Sequence, residues 1–287
     1  MSRKLGRRIN KGITAEIFEW GDNGKVIKLA RTQKSHQAML TEYLSSQFAW
    51  DNGLSVPQPF ELVEVDGRLG IVFERIYGHT LMERFKNQFL KPYNAKENIK
   101  KINYEDMARI SAKLLSETHR KSNQNMPSQR KAIIDSIKRV KHLRILEKKL
   151  VIDILNSIPL KQQLCHGDPN MNNILIRDRD NKALLIDWTY ASIGNPEADL
   201  AEYIITIRYS RLQRNVPSEF EDYINSIREE IIKVFIDEYK KLSDITYEDI
   251  ESWMIPMEAR RLSAEIINEP EKKLIVYDIR KRLKKYK

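Results

Sequence analysis

Residues 164–188, LCHGDPNMNNILIRDRDNKALLIDW, hold the side chains best suited to chemistry. Asp168 follows His166 and Gly167, Asn173 stands five residues further on, and Asp187 ends the next apolar run, ALLID. Phosphoryl transfer needs this combination. One carboxylate accepts or positions the proton of an attacking hydroxyl. An amide oxygen and a second carboxylate are hard ligands that hold Mg²⁺ against nucleotide phosphates. Asp168 and Asn173 are expected at either end of one loop, facing Asp187 across a hairpin whose apolar strands hold them rigidly. A polar turn before an ordinary hairpin would use the same residue types. The second aspartate, placed at the end of the following apolar strand, gives the pattern its weight.

Such a loop needs a scaffold on both sides. The first 75 or so residues read as short strands around one helix. AEIFEW and KVIKLA flank GDNG and form a hairpin signal. Over residues 34–50, Ala38, Leu40, Leu44, Phe48 and Ala49 recur at three- and four-residue spacing, which predicts a helix. PFELVEV, DGR and LGIVFER make a second hairpin with Asp66-Gly67 at its turn. After Tyr77-Gly78 the pattern is helical, through ISAKLLSETH and IIDSIKRVKHLRILEKKLVIDIL. It is interrupted at about 163–187 by the strands QLCHGD, NILIR and ALLIDW, and from about 197 it is helical again. The expected fold is α+β, with a small β-rich lobe over residues 1–76 and a larger, mainly helical lobe over 77–287.

HGDPNMNN with ALLIDW resembles the motifs of the aminoglycoside phosphotransferase and choline kinase superfamily, whose fold is protein-kinase-like, and ASIGNPEADLAEY resembles its continuation. GITAEIFEW, KVIKLA, a helix containing TEYL, and IVFERIYGHTL follow in the order such enzymes use, so the likeness spans most of residues 6–205. The resemblance implies a kinase that uses ATP or GTP with Mg²⁺ to phosphorylate a hydroxyl of a small molecule. Asp168 would be the catalytic base, with Asn173 and Asp187 as metal ligands. Lys28 would contact the α- and β-phosphates, braced by Glu42. Gly12 and Thr14 would lie in a loop over the phosphates, although the protein-kinase G-x-G-x-x-G is absent. The main chain at Glu74 and Ile76 would meet the adenine. Asp199 would support the catalytic loop from a following helix, and His166 would order that loop through backbone bonds. His119 and Cys165 read as packed residues.

Composition narrows the alternatives. The 287 residues include one Cys, which cannot form an internal disulfide. No apolar run approaches the ~20 residues of a membrane span, and the basic start, MSRKLGRR, lacks a following apolar stretch. A cytoplasmic protein without membrane insertion is expected. No HExxH, CxxC or GxSxG pattern supports zinc or serine-hydrolase chemistry. The net charge of +10 points at first to nucleic acid. Its distribution changes that reading: residues 9–269 sum to zero, while the two ends carry +4 and +6. Within the neutral span, residues 120–150 carry ten bases against two acids, and residues 151–269 carry 13 against 22. Nucleic-acid contact is thus expected only, and weakly, at the basic ends. The acidic runs EFEDY, REE, IDEY and YEDIES read first as solvated helix faces. By resemblance, acids in this region bind cationic acceptors such as an aminoglycoside or an amino alcohol. The rival function is a nucleotide-binding pseudokinase or regulatory module, disfavoured because lysine, base, amide and second carboxylate are all present.

Overall fold

The alternation of KVIKLA gives the N-terminal sheet two unlike faces. Ile27 and Leu29 are fully buried with Trp20 and Val72 on one side. Lys28 and Ala30 leave the other, because successive strand side chains point in opposite directions. The computed structural model describes residues 5–12, 14–21, 24–32, 35–90, 103–123, 125–210, 216–264 and 267–286. Residues 1–4 and Lys287 of the basic ends, Ile13 of the expected phosphate loop, Asp22 and Asn23 of the first expected turn, and Lys34 lie outside them.

Strands β1 (Leu5–Lys11), β2 (Ala15–Trp20) and β3 (Lys25–Ala30) are followed by helix α1 (His36–Asp51), then β4 (Pro59–Val65) and β5 (Arg68–Glu74). The strands form one antiparallel sheet in the order β1-β2-β3-β5-β4. Both expected hairpins are present, the second turning through Asp66 and Gly67 at positive φ. α1 lies on the Lys28 side, where Met39 packs with Ala15, Ala30 and Ile71. Leu40 and Leu44, which helped to predict this helix, are exposed, and its buried face carries Glu42, Ser45 and Ser46. A helix that walls a polar cleft does not need an unbroken apolar stripe.

Residues 75–77, without regular structure, lead into β6 (Gly78–Thr80), α2 (Leu81–Leu90), α3 (Tyr104–His119), α4 (Gln129–Arg139) and α5 (Ile145–Ser157). The long helical run around residues 133–155 is therefore two helices. Val140 and Leu143 between them are buried, and the chain leaves α4 at Val140 in extended conformation to reach that position. It restarts after Arg144, whose main-chain N–H donates to Glu147 at 2.7 Å.

Next come β7 (Gln163–Cys165), β8 (Ile174–Arg177), β9 (Ala183–Leu185), β10 (Ser192–Gly194), α6 (Pro196–Tyr209), α7 (Ser218–Leu242), α8 (Tyr247–Arg261) and α9 (Glu269–Leu283). β8 and β9 are the expected hairpin, and β6 adds to it as an outer third strand. QLC does not join that hairpin; it pairs with Ser192–Gly194. The strand also stops before HGD, because Gly167 turns at φ +82°, and a Cβ there would collide with the Tyr190 carbonyl. The main core fills the helical half, with Trp188, Tyr203, Phe220, Phe235 and Trp253 among its fully buried side chains. The outcome is the expected α+β, protein-kinase-like architecture of a five-stranded lobe and a mainly helical one. Among the described residues, no helix is long and apolar enough to cross a membrane.

Candidate active site

Between the sheet and the helical half lies a cleft of about 1250 Å³, and all nine expected site residues line it: Gly12, Thr14, Lys28, Glu42, Glu74, Ile76, Asp168, Asn173 and Asp187. Its centre is an ion cluster drawn from three elements. β3 presents Lys28, whose Nζ lies 2.7 Å from Glu42 Oε1 on α1 and 3.1 Å from Asp187 Oδ1 after β9. Burial alone would pull the ammonium's pKa down, but the charges of Glu42 and Asp187 outweigh it and raise the value. Burial likewise opposes ionisation of Asp187, yet Lys28 and a bond from Thr189 hold its carboxyl below the ordinary range. Thr189 Oγ1 sits 2.8 Å from Asp187 and 3.0 Å from Glu42, so its single proton serves one carboxylate at a time.

Asp187 reaches this position through a left-handed backbone, φ 65° and ψ 65°, uncommon for a residue with a side chain. Its side chain remains 40% exposed, open to the cleft. The preceding main chain is fixed where the Ile186 N–H donates to the Asn173 carbonyl at 2.8 Å, tying the second aspartate to the other end of the hairpin.

The Asp168 loop is built differently, on main-chain bonds. Asp199, buried in the first turn of α6, accepts from the N–H groups of His166 at 2.6 Å and Gly167 at 3.0 Å. His119 and Tyr239 stand behind it, at 3.2 Å from Asp199 and 2.7 Å from His119 respectively. His166 accepts the Asp168 N–H at Nδ1, so Nε2 carries the proton and donates to the Ile186 carbonyl at 3.0 Å. The Asp168 carboxylate is then aimed by two amides, Asn170 Nδ2 at 2.9 Å and Asn173 Nδ2 at 3.0 Å. Each carboxylate oxygen keeps a free lone pair for a further donor.

That last contact tests the fit of a metal. With its Nδ2 committed to Asp168, Asn173 keeps its amide oxygen as an acceptor. It and the open Asp187 carboxylate are hard oxygen donors on one cleft wall, suited to Mg²⁺.

At the strand-to-strand loop, Gly12 N–H donates to the Ala15 carbonyl at 2.9 Å, a tight turn beside the cleft. At the other margin, the Glu74 N–H is taken by Gln58 at 2.8 Å and the Arg75 N–H by Gly24 at 2.9 Å. The Ile76 N–H has no acceptor among the described residues.

Several further cleft residues stand in no pattern that marks them in the sequence. Arg260, on α8, donates to Glu202 at 2.8 Å and to the Gly167 carbonyl at 2.7 Å, joining α6 and α8 to the Asp168 loop. Arg261 approaches the other oxygen of Glu202 at 3.3 Å. Only the packing of α6 against α8 brings these residues together. The acidic runs of α7 and α8, by contrast, do not line the cleft. Glu229 pairs with Arg208, Glu238 with Lys241 and Glu251 with Arg282, while Asp249 caps α8. They are helix-face charges.

The family model described as "Phosphotransferase enzyme family" matches residues 6–225. Among solved structures, an aminoglycoside-3'-phosphotransferase of type VIII is 16% identical with a TM-score of 0.59, covering 91% of this chain and 94% of its own. Choline kinase LicA from Streptococcus pneumoniae is 13% identical with a TM-score of 0.63, covering 97% and 93%. An aminoglycoside phosphotransferase in ternary complex with streptomycin and ATP is 14% identical with a TM-score of 0.58, covering 97% and 91%. At these identities the structures establish likeness of fold. No curated protein matches the sequence.

Proposed function

Since the chain belongs to the phosphotransferase enzyme family, we propose that it transfers the γ-phosphoryl of ATP, or GTP, to a hydroxyl of a small molecule. The observation that carries this reading is the meeting of Lys28, Glu42 and Asp187, one from each side of the cleft and one from α1, beside an amide-aimed Asp168. Residues 1–76 would hold the nucleotide and residues 77–287 the catalytic loop and acceptor, the boundary falling in the irregular stretch 75–77. A cytoplasmic place, where nucleotide is supplied, belongs to the same reading.

In the reaction, the adenine would lie against the main chain of Glu74 and Ile76, where the Ile76 N–H has no acceptor among the described residues. The turn at Gly12 and Thr14 would close over the phosphates. Lys28, kept cationic and aimed by Glu42, would hold phosphate oxygens. Asn173 and Asp187 would hold Mg²⁺, which when bound offsets phosphate charge. Asp168 would accept the hydroxyl proton of the acceptor as its oxygen approaches phosphorus. Positioning and charge stabilisation do the work, with no covalent enzyme intermediate. For the acceptor, an aminoglycoside or amino alcohol is what the structural relatives recommend. The cationic group would be met by acids that line the cleft, such as Asp168 or the exposed Glu83, because the acids of α7 and α8 lie elsewhere.

The test is a two-stage assay on the purified protein. Thermal stabilisation by a panel of hydroxylated antibiotics and metabolites, with Mg²⁺ and a non-hydrolysable nucleotide, identifies acceptors. Phosphate transfer from ATP to those that bind then follows. Binding of nucleotide with no transfer to any acceptor that binds would replace this reading with that of a pseudokinase.

A further inference from the structure

The two basic segments inside and at the end of the chain, 120–150 and 270–287, converge in the fold. Arg280 of α9 bonds both oxygens of Glu147 in the first turn of α5, at 2.8 and 3.3 Å. His142, in the link between α4 and α5, lies 3.9 Å from Glu269 at the head of α9. On α9 and at its C-terminal cap, Lys273, Tyr277, Arg280 and Lys284 recur at helical spacing along the exposed side, opposite the buried Ile275 and Ile279. The start of α5 and the outer stripe of α9 are therefore one surface.

Its acids are spent internally: Glu147 on Arg280, and Glu269 on Lys272 at 2.8 Å. Lys141 and Lys149, on either side of the first turn of α5 in the sequence, are exposed and have no acidic partner among the described residues. Amid these cations, Ile145 and Leu146 project from the first turn of α5 with 84% and 78% of their surface open. Scattered exposed apolar residues are ordinary. Two adjacent aliphatic side chains flanked by unpaired cations are a different arrangement.

We propose that this surface docks the protein on an anionic lipid bilayer. The lysines meet lipid phosphates, and Ile145 and Leu146 enter the boundary between headgroups and acyl chains. A nucleic acid would use the same cations, but it has no use for an aliphatic pair and would call for bases stacking on an aromatic platform. The docking surface also adjoins the cleft. Lys148 of α5 bonds the Lys138 carbonyl at 3.1 Å, and the next residue, Arg139, lines the cleft wall.

The test is co-sedimentation of the whole protein with vesicles of phosphatidylcholine, with and without phosphatidylglycerol, beside a single-stranded DNA binding assay. Binding is expected to the phosphatidylglycerol vesicles alone and to weaken as salt rises. Two variants at exposed positions, Ile145→Ser with Leu146→Ser and Lys141→Glu with Lys149→Glu, should each weaken it about tenfold or more. Their thermal melting should match that of the parent. Failure to bind anionic vesicles overturns the proposal. So does vesicle binding that the serine pair leaves unchanged, particularly beside equal DNA binding, for that would mark a surface selective for polyanions in general.

Discussion

Glu42 and Asp199 are both buried carboxylates at the edge of one cleft, and they are held in opposite ways. Glu42 faces an ammonium from another element and a hydroxyl that it shares with Asp187. Asp199 receives two main-chain N–H groups from the loop that carries Asp168. The first joins the sheet lobe to the helical lobe through side-chain charge. The second makes a loop rigid within a single lobe. Charge partners can be exchanged as a cleft opens and closes, whereas main-chain N–H groups buried beneath a helix must keep their acceptor.

Four substitutions probe that contrast. The largest effect is expected at the group between the two systems: Asp168→Asn should lower kcat by roughly 10³-fold while melting stays near that of the parent. Asp199→Asn puts an amide where two N–H groups need acceptors. Facing either one with its own NH₂, it should cost about 2–3 kcal/mol of stability in urea unfolding and lower kcat as the loop loosens. Glu42→Gln, the same chemical change, should cost less than about 1 kcal/mol. The amide oxygen still accepts from Lys28, Asp187 still pairs with it, and the burial cost of one charge is removed. Its mark should instead be a kcat about tenfold lower, because Lys28 is less firmly aimed. If Asp199→Asn and Glu42→Gln lose stability alike, the contrast is wrong.

A third buried carboxylate sharpens it. Glu258 on α8 is wholly buried, accepts from Tyr209 at 3.2 Å and lies 3.7 Å from Arg282. Burial exceeds what these partners return and pushes its pKa from 4.5 up to about 7. Between those values the folded state binds the extra proton, so stability falls as pH rises through that window. Glu258→Gln should gain about 1–2 kcal/mol at pH 8 and nothing at pH 4.5.

Much of this was legible because local pattern decided it. The turn residues GDNG marked KVIKLA as a hairpin strand, on which the resemblance picked out Lys28, and the apolar run ending in Asp187 placed that carboxylate at a hairpin's end. What escaped was set at longer range or by function. Thr189, Glu202 and Arg260 have no spacing that announces them, since the packing of α6 on α8 and the turn after β9 bring them in. The exposed Leu40 and Leu44 mislead about which side of α1 is covered, because the covered side serves a polar cleft. Periodicity also could not foresee that Val140 and Leu143 would be drawn into the core, dividing one helical run into two.

The single cysteine has a use apart from all of this. Cys165, the last residue of β7, is completely buried, and the loop bearing Asp168 begins immediately after it. Burial also raises its thiol pKa well above the ordinary value, so an aromatic disulfide reagent finds almost no thiolate in the closed protein. Labelling must wait for β7 to separate from β10 or for α6 to release the loop. The rate at which the native, unmodified chain consumes reagent is therefore a count of openings at the catalytic loop, and any compound that settles the cleft should slow it.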